Sequence, residues 1–218
     1  MKYQLLVSII LVMSSNINAQ NDSIPAETSS QNHRYQDIFS KGSVKFGTGV
    51  FIPQGNLQNY FGSAPLFEIN GSLPFSRGRS IDLALQVIIP DQRDDFVYLR
   101  TIDTIQAKSK AMVNFFLRFK KELYRSDKSH LNLGLGLGVS SITTDARNPF
   151  YDGDEGDNKY ELVTAFLGLP GIEWTHSFSS NAEFSFALEV QYSPYKIEGA
   201  LREDIGSVAL IPKVLYKF

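Results

Sequence analysis

The stretch Val208-Ala-Leu-Ile-Pro-Lys-Val-Leu-Tyr-Lys-Phe218 alternates at period two. Val208, Leu210, Val214, Tyr216 and Phe218 share one face, while Ala209, Ile211, Lys213, Leu215 and Lys217 share the other. Period two is the signature of a strand, and a one-residue slip would turn every apolar side chain to the wrong side. A closing strand that carries Tyr216 and Phe218 must bury them or set them at an interface. A barrel strand in a bilayer offers such a place in the aromatic girdle.

The same alternation recurs upstream. Strands are expected over Ser43 to Ile52, Pro65 to Phe75, Ile81 to Ile89, Ser109 to Leu123, Leu131 to Ser140, Tyr160 to about His176 and Ala182 to Tyr195. Each approaches or exceeds the roughly 9–11 residues a tilted membrane strand requires. The stretches Pro53 to Ala64, Pro90 to Lys108, Asp145 to Lys159 and Lys196 to Gly206 are long connections. Ser76 to Arg79, Tyr124 to Ser129 and Ser179 to Asn181 are short ones, so long and short alternate and both barrel termini fall at the short-turn end. Phe96 to Ile105 has the pattern of a hairpin extending beyond the bilayer, and Pro170-Gly171 reads as a bend or bulge. The expected fold is all-β: an about eight-stranded antiparallel transmembrane up-and-down β-barrel over residues 43–218.

A soluble barrel would use the same strand pattern with its apolar face inward. Gly134, Gly136 and Gly138 argue for the reverse arrangement. On a solvated face they would leave bare backbone, whereas inside a narrow barrel they make room for large side chains such as Arg118 or Lys120. The polar face carries Glu68, Asp82, Glu183 and Glu189 beside Lys45, Arg118, Lys120 and Lys213. Enclosed together these charges are expected to pair, because isolated buried charge is costly. The lumen is therefore expected to be polar, packed and closed.

The N-terminus has a charged start at Lys2, an apolar run from Leu5 to Met13 and a small residue at Ala19. That pattern is expected to be a cleaved signal peptide, residues 1–19, since a helical span needs about 20 apolar residues. Residues 20–42, rich in Ser, Asn and Gln, are expected to form a flexible periplasmic lead-in. The formal net charge is −2, and losing Lys2 makes it more acidic, so no surface for nucleic acid is implied. There is no cysteine, so packing and the strand ladder must supply the stability.

The signal ending at Ala19-Gln20, the strand Val44-Lys-Phe-Gly-Thr-Gly-Val50 and the terminal strand together resemble the small outer-membrane barrels of the OmpA-like and PorT-like families of Bacteroidota-type envelopes. In those families the last strand is an assembly signal with an upstream glycine, an aromatic at the third-last position and a terminal Phe. Gly206, Tyr216 and Phe218 match that pattern, with the glycine further upstream than usual. Pro212 departs from it, because it removes one ladder donor and fits only at a bulge or an unpaired position. The resemblance implies residence in the outer membrane and contact with its lipid and lipopolysaccharide. It also implies recognition by the barrel-assembly machinery, and by PorT-like likeness a part in secretion or surface assembly.

Two constellations invite chemistry. His176-Ser-Phe-Ser179-Ser-Asn181-Ala182 loosely resembles the His and Ser of the lipid A deacylase family, with Glu173 or Glu183 as the nearby acid. Its place in a short turn favours a polar periplasmic turn, since outer-leaflet chemistry needs the other end. The run Asp152-Gly-Asp154-Glu155-Gly-Asp157-Asn158 could offer oxygens to calcium, but lacks the ligand order of the calcium hand and reads as a solvated loop. His33 and His130 lack metal-ligand spacing and are expected to face solvent. Trp174, Tyr124, Tyr216, Phe75, Phe178 and Phe218 are expected in one aromatic girdle, and Tyr60, Phe61, Phe150, Tyr151, Tyr160 and Tyr195 in the other. No catalytic, cofactor-binding or metal residue is assigned, and no cofactor is expected. The expected role is structural or interaction-based through the long loops. The alternatives are a narrow channel or porin and, more remotely, a lipid A-modifying hydrolase.

Overall fold

A computed structural model describes residues 42–99, 104–147, 160–178, 182–197 and 200–217. The leader, nearly all of the lead-in, His33, Phe150, Tyr151, the acidic run Asp152–Asn158, Ser179–Asn181 and Phe218 lie outside the described residues.

Eight long strands close a barrel: β1 (Ser43–Gln54), β2 (Ala64–Ser76), β3 (Arg79–Ile88), β6 (Ser109–Arg125), β7 (Ser129–Arg147), β8 (Tyr160–Ser177), β9 (Glu183–Lys196) and β10 (Asp204–Lys217). Their order around the wall is β1-β10-β9-β8-β7-β6-β3-β2, every neighbour antiparallel. This is the expected up-and-down barrel, closed by the terminal strand pairing with the first from Lys45↔Lys217 to Gln54↔Val208. One turn of helix, α1 (Leu57–Tyr60), sits between β1 and β2. A hairpin of β4 (Phe96–Leu99) and β5 (Thr104–Ala107) forms the expected excursion between β3 and β6. The strands β6 and β7 run beyond their expected ends, and β7 takes Asp145 out of the predicted loop.

The wall is apolar outside and polar inside. Phe46, Phe67, Leu83, Phe115, Leu117, Leu133, Phe186 and Leu188 are all exposed on the outer face. Their inward neighbours Lys45, Glu68, Asp82, Asn114, Arg118, Gly134 and Glu189 point into the barrel, most of them buried. An outward apolar band around a charged interior is the arrangement of a transmembrane barrel.

The prolines sit where the ladder is interrupted. Pro212 pairs with Leu188 on one side, but on the other the β1–β10 pairing skips from Gly49↔Lys213 to Ile52↔Leu210, leaving the missing N–H unneeded. The expected bulge at Pro170-Gly171 is not there. The β7–β8 register runs unbroken through Leu135↔Pro170 and Gly134↔Gly171, and the β8–β9 pairing merely skips from Gly168↔Tyr192 to Gly171↔Glu189. Gly171 serves packing instead, because a Cβ there would lie 2.7 Å from Glu189 Cγ.

Candidate functional site

The lumen gathers the residues with chemical character. Each strand but β7 sends at least one buried charge inward: Lys45, Glu68, Asp82, Arg118 with Lys120, Glu173, Glu189 and Lys213. Four cations thus face four carboxylates, and they pair in a chain of alternating sign. Lys45 Nζ is 3.1 Å from Glu173, whose other oxygen is 2.7 Å from Lys120 Nζ. Lys120 is also 2.7 Å from Asp82, and Asp82 is 3.5 Å from Arg118. Arg118 reaches Glu189 at 2.8 Å and Glu68 at 3.1 Å, and Lys213 joins the same two carboxylates, at 2.6 Å from Glu189. At the lower end Glu183 bridges Lys217 at 3.2 Å and Lys45 at 3.8 Å.

The strand β7 contributes space. A Cβ on Gly134 would rest 3.5 Å from Arg118 Cδ, and one on Gly136 would press to 3.0 Å on both Phe116 and Leu169. Phe116 in turn lies beneath the Arg118 guanidinium, 5.0 Å from ring centroid to Cζ, where the ring face attracts the cation. The glycine row therefore makes room for Phe116 at Gly136 and Gly138, whereas beside Arg118 a methyl on Gly134 would make only ordinary contact.

Above the charges comes a belt of amides and hydroxyls. Gln86 Nε2 donates to Glu68 at 2.8 Å and Asn114 Nδ2 donates to Gln86 Oε1 at 2.9 Å and to Gln191 Oε1 at 3.0 Å. Gln191 Nε2 donates to the Tyr195 hydroxyl at 3.0 Å, and that hydroxyl shares a 2.5 Å bond with Ser140 Oγ.

The long-loop end is closed by an apolar cap. Phe51, Leu57, Phe61, Leu66, Ile88, Phe96, Met112 and Ile142 are at most 1% exposed. Phe96 of the hairpin packs edge-on against Phe61 with centroids 6.0 Å apart and tilted against Tyr60 at 5.8 Å. Backbone bonds knit the loops: Gly62 N–H donates to Asp91 O at 2.6 Å, Arg93 N–H to Tyr60 O at 2.8 Å and Leu201 N–H to Val97 O at 2.8 Å. Gly206, read from sequence as part of an assembly signal, has φ +106°, and a Cβ there would lie 2.5 Å from Leu57 N. It lets α1 close down on β10.

This cap corrects the upper girdle. Tyr60, Phe61 and Tyr195 are buried, at 8%, 1% and 0% exposure. Tyr195 follows the inward parity of Glu189 and Gln191, and the other two belong to a loop that folds over the mouth. The lower girdle stands: Phe75, Tyr124, Trp174, Phe178 and Tyr216 are all exposed.

The short-turn end opens into a cavity of about 240 Å³, lined among others by Lys45, Glu122, His130, Glu183 and Lys217. His130 is half-buried on the lumen side of this mouth, not out in solvent as expected, because it shares the inward parity of Asn132. Deeper in, the void beside Arg118, Lys120, Gly134, Gly171 and Glu189 is about 10 Å³, room for a single water.

The residues of the supposed hydrolytic set diverge. His176 Nδ1 shares a hydrogen bond of 2.8 Å with Ser129 Oγ. Its ring stacks on Trp174, centroids 5.9 Å apart, and meets Phe178 edge-on at 5.0 Å, within the lower girdle. Glu173 lies on the opposite face of the same strand, tied to Lys45 and Lys120, and Glu183 is tied to Lys217. Among the described residues no group of His, Cys, Asp and Glu has the arrangement of a metal site.

No protein-family model matches the chain, and no curated protein matches it. Among solved structures the chain is similar to the crystal structure of Neisserial surface protein A (NspA), with a TM-score of 0.52 and 11% identity over 81% of this chain and 97% of that one. At that identity the likeness is one of fold. It agrees with the barrel described above.

Proposed function

We propose that the protein is an integral outer-membrane barrel whose lumen is sealed and whose work is done outside it, through the knitted loops at the long-loop end. The carrying observation is the interior: a chain of four buried cations and four buried carboxylates below a dry apolar cap. Such a filling leaves no open water path among the described residues, which supports a closed lumen over a transport role. Export through the N-terminal signal, cleaved near Ala19, delivers it to the envelope. The short turns then face the periplasm and the long loops the exterior, the usual polarity of bacterial barrels.

The contact surface is the platform built from α1, the β4–β5 hairpin and the segment leading into β10. Its partners are lipopolysaccharide around its base and extracellular or secretion components above, in keeping with the PorT-like resemblance. The terminal strand, paired with β1 along its length, is the element offered to the barrel-assembly machinery. The protein acts without catalysis; His176 is occupied in the girdle and the neighbouring acids in the lumen. Protease added to intact cells should cut within Asp152 to Asn158 and leave the short turns untouched. Cleavage at Arg125 or Lys128 instead would invert the orientation.

A further inference from the structure

We infer that the outer wall at the short-turn end carries a seat for an anionic phospholipid headgroup, formed by Arg79 and Lys121. The two residues are direct cross-strand partners, Arg79↔Lys121, and both follow the outward parity of Ile81↔Phe119 one step above them. Like charges directly opposite on neighbouring strands repel. Among the described residues neither forms a salt bridge. The nearest carboxylate in sequence, Glu122, is engaged by Arg125 Nε at 2.8 Å. Two cations of the membrane wall are thus left facing each other with no counter-charge from the described residues.

Above them lies a groove of about 400 Å³, walled by Phe75, Phe119, Leu133, Leu135 and Pro170, with the backbone of Gly134 as part of its floor. The register fixes its direction. Lys121 pairs with Leu133, and Phe119 with Leu135, which in turn pairs with Pro170, so the cations mark the end nearest the turns and the apolar wall climbs toward mid-bilayer. Arg79 also borders the mouth of the short-turn cavity. The polarity is that of a diacyl phospholipid: a phosphate between a guanidinium and an ammonium, with acyl chains laid along Phe119 and Leu135. Arginine suits phosphate through paired N–H donors, and lysine adds a point charge. Charge complementarity commits the groove to an anionic lipid of the leaflet on the short-turn side, over a neutral one.

The groove faces lipid only if the barrel spans a membrane, as proposed, and one experiment separates the two statements. The full chain is folded into phosphatidylcholine vesicles containing a minor fraction of phosphatidylglycerol, with bromine on the acyl chains of one lipid or the other. Trp174 is the single tryptophan, and its partner Leu131 stands one outward step below Leu133, beside the groove. Quenching by brominated phosphatidylcholine reports insertion, and its absence sinks the membrane reading itself. Stronger quenching per mole of brominated phosphatidylglycerol reports the seat. With two cations acting, enrichment on the order of tenfold is expected. Arg79→Gln with Lys121→Gln should abolish that preference, while Arg93→Gln with Arg202→Gln, at the long-loop end, should keep it. Equal quenching by both lipids in the native chain, or a preference that survives the Arg79/Lys121 change, overturns the seat while leaving the barrel intact.

Discussion

At the residue scale the interior turns on Arg118. It touches three carboxylates, Glu68, Asp82 and Glu189, and so joins the Lys120 end of the ion chain to the Lys213 end. Removing one partner of a buried ion pair leaves the other charge unpaired, which typically costs about 3–5 kcal/mol. Arg118→Met, close in volume but uncharged, is expected to lower the unfolding free energy of the barrel, read from urea titration, by an amount in that range. Arg118→Lys should recover part of the loss, since a lysine keeps the charge without the fork. The glycines of β7 give a second contrast on one strand. A Cβ on Gly138 would collide with the Phe115 carbonyl oxygen and lie 2.6 Å from Phe116 Cα, both backbone atoms that cannot step aside. Gly138→Ala is expected to destabilise by about 1–3 kcal/mol through overpacking. At Gly134 the same methyl meets Arg118 at ordinary contact distance, 3.5 Å. Gly134→Ala should be neutral or stabilising by up to about 1 kcal/mol, since it restricts the unfolded chain. Equilibrium unfolding of the two variants side by side decides whether the row exists for space or for backbone freedom.

At the scale of elements, the strands were legible because alternation is a local signal. Every inward charge of the ion chain but Glu173 lies on the parity read from its own strand, from Lys45 on β1 to Lys213 on β10. Glu173 sits on β8, whose alternation is too irregular to assign a face from sequence. Height along the barrel is not a local signal. Phe51, Ile88 and Ile211 share a face with Lys45, Asp82 and Lys213 and look like blemishes on a polar stripe. They lie higher, in the cap, where the wall rises beyond the charged layer and the filling turns apolar. The burial of Tyr60 and Phe61 escapes the sequence for a related reason. An aromatic in a loop near a strand end reads as a girdle residue until another loop folds onto it, and here Phe96 does so from more than thirty residues away. The hairpin is therefore anchored by that ring more than by its own four-residue strands, which are too short to persist alone. Phe96→Ala, which empties a site buried to 1% exposure, should cost about 3–5 kcal/mol of local stability. On vesicle-inserted protein, trypsin should then cut after Arg93 and Lys108 much faster than in the native chain. The barrel's own unfolding should hardly move, because β3 and β6 still pair along ten residues.

For the whole molecule, topology followed from strand count, and the alternation of long and short connections carries the proposed sidedness. The filling could not follow from them, because it depends on which side chains share a height across eight strands. That filling has two stages of different physics: an ion chain with its amide belt in the lower barrel, and a dry aromatic cap above it. Either alone should block ion flow, the first because its charges are mutually neutralised at contact distance, the second because an apolar constriction sheds water. Native protein in planar bilayers is accordingly expected to show no unitary steps. Phe61→Ala with Phe96→Ala opens the cap but leaves Lys213 and Arg118 bonded to Glu68 and Glu189, so it should stay closed as well. Arg118→Ala alone loosens the ion chain beneath an intact cap and should also stay closed. Only the triple change breaches both stages and should produce discrete conductance, in barrels whose folding is verified by heat-modifiable gel migration. Steps from the cap variant alone would mean that the ion chain does not seal, and that a channel lies under the loops.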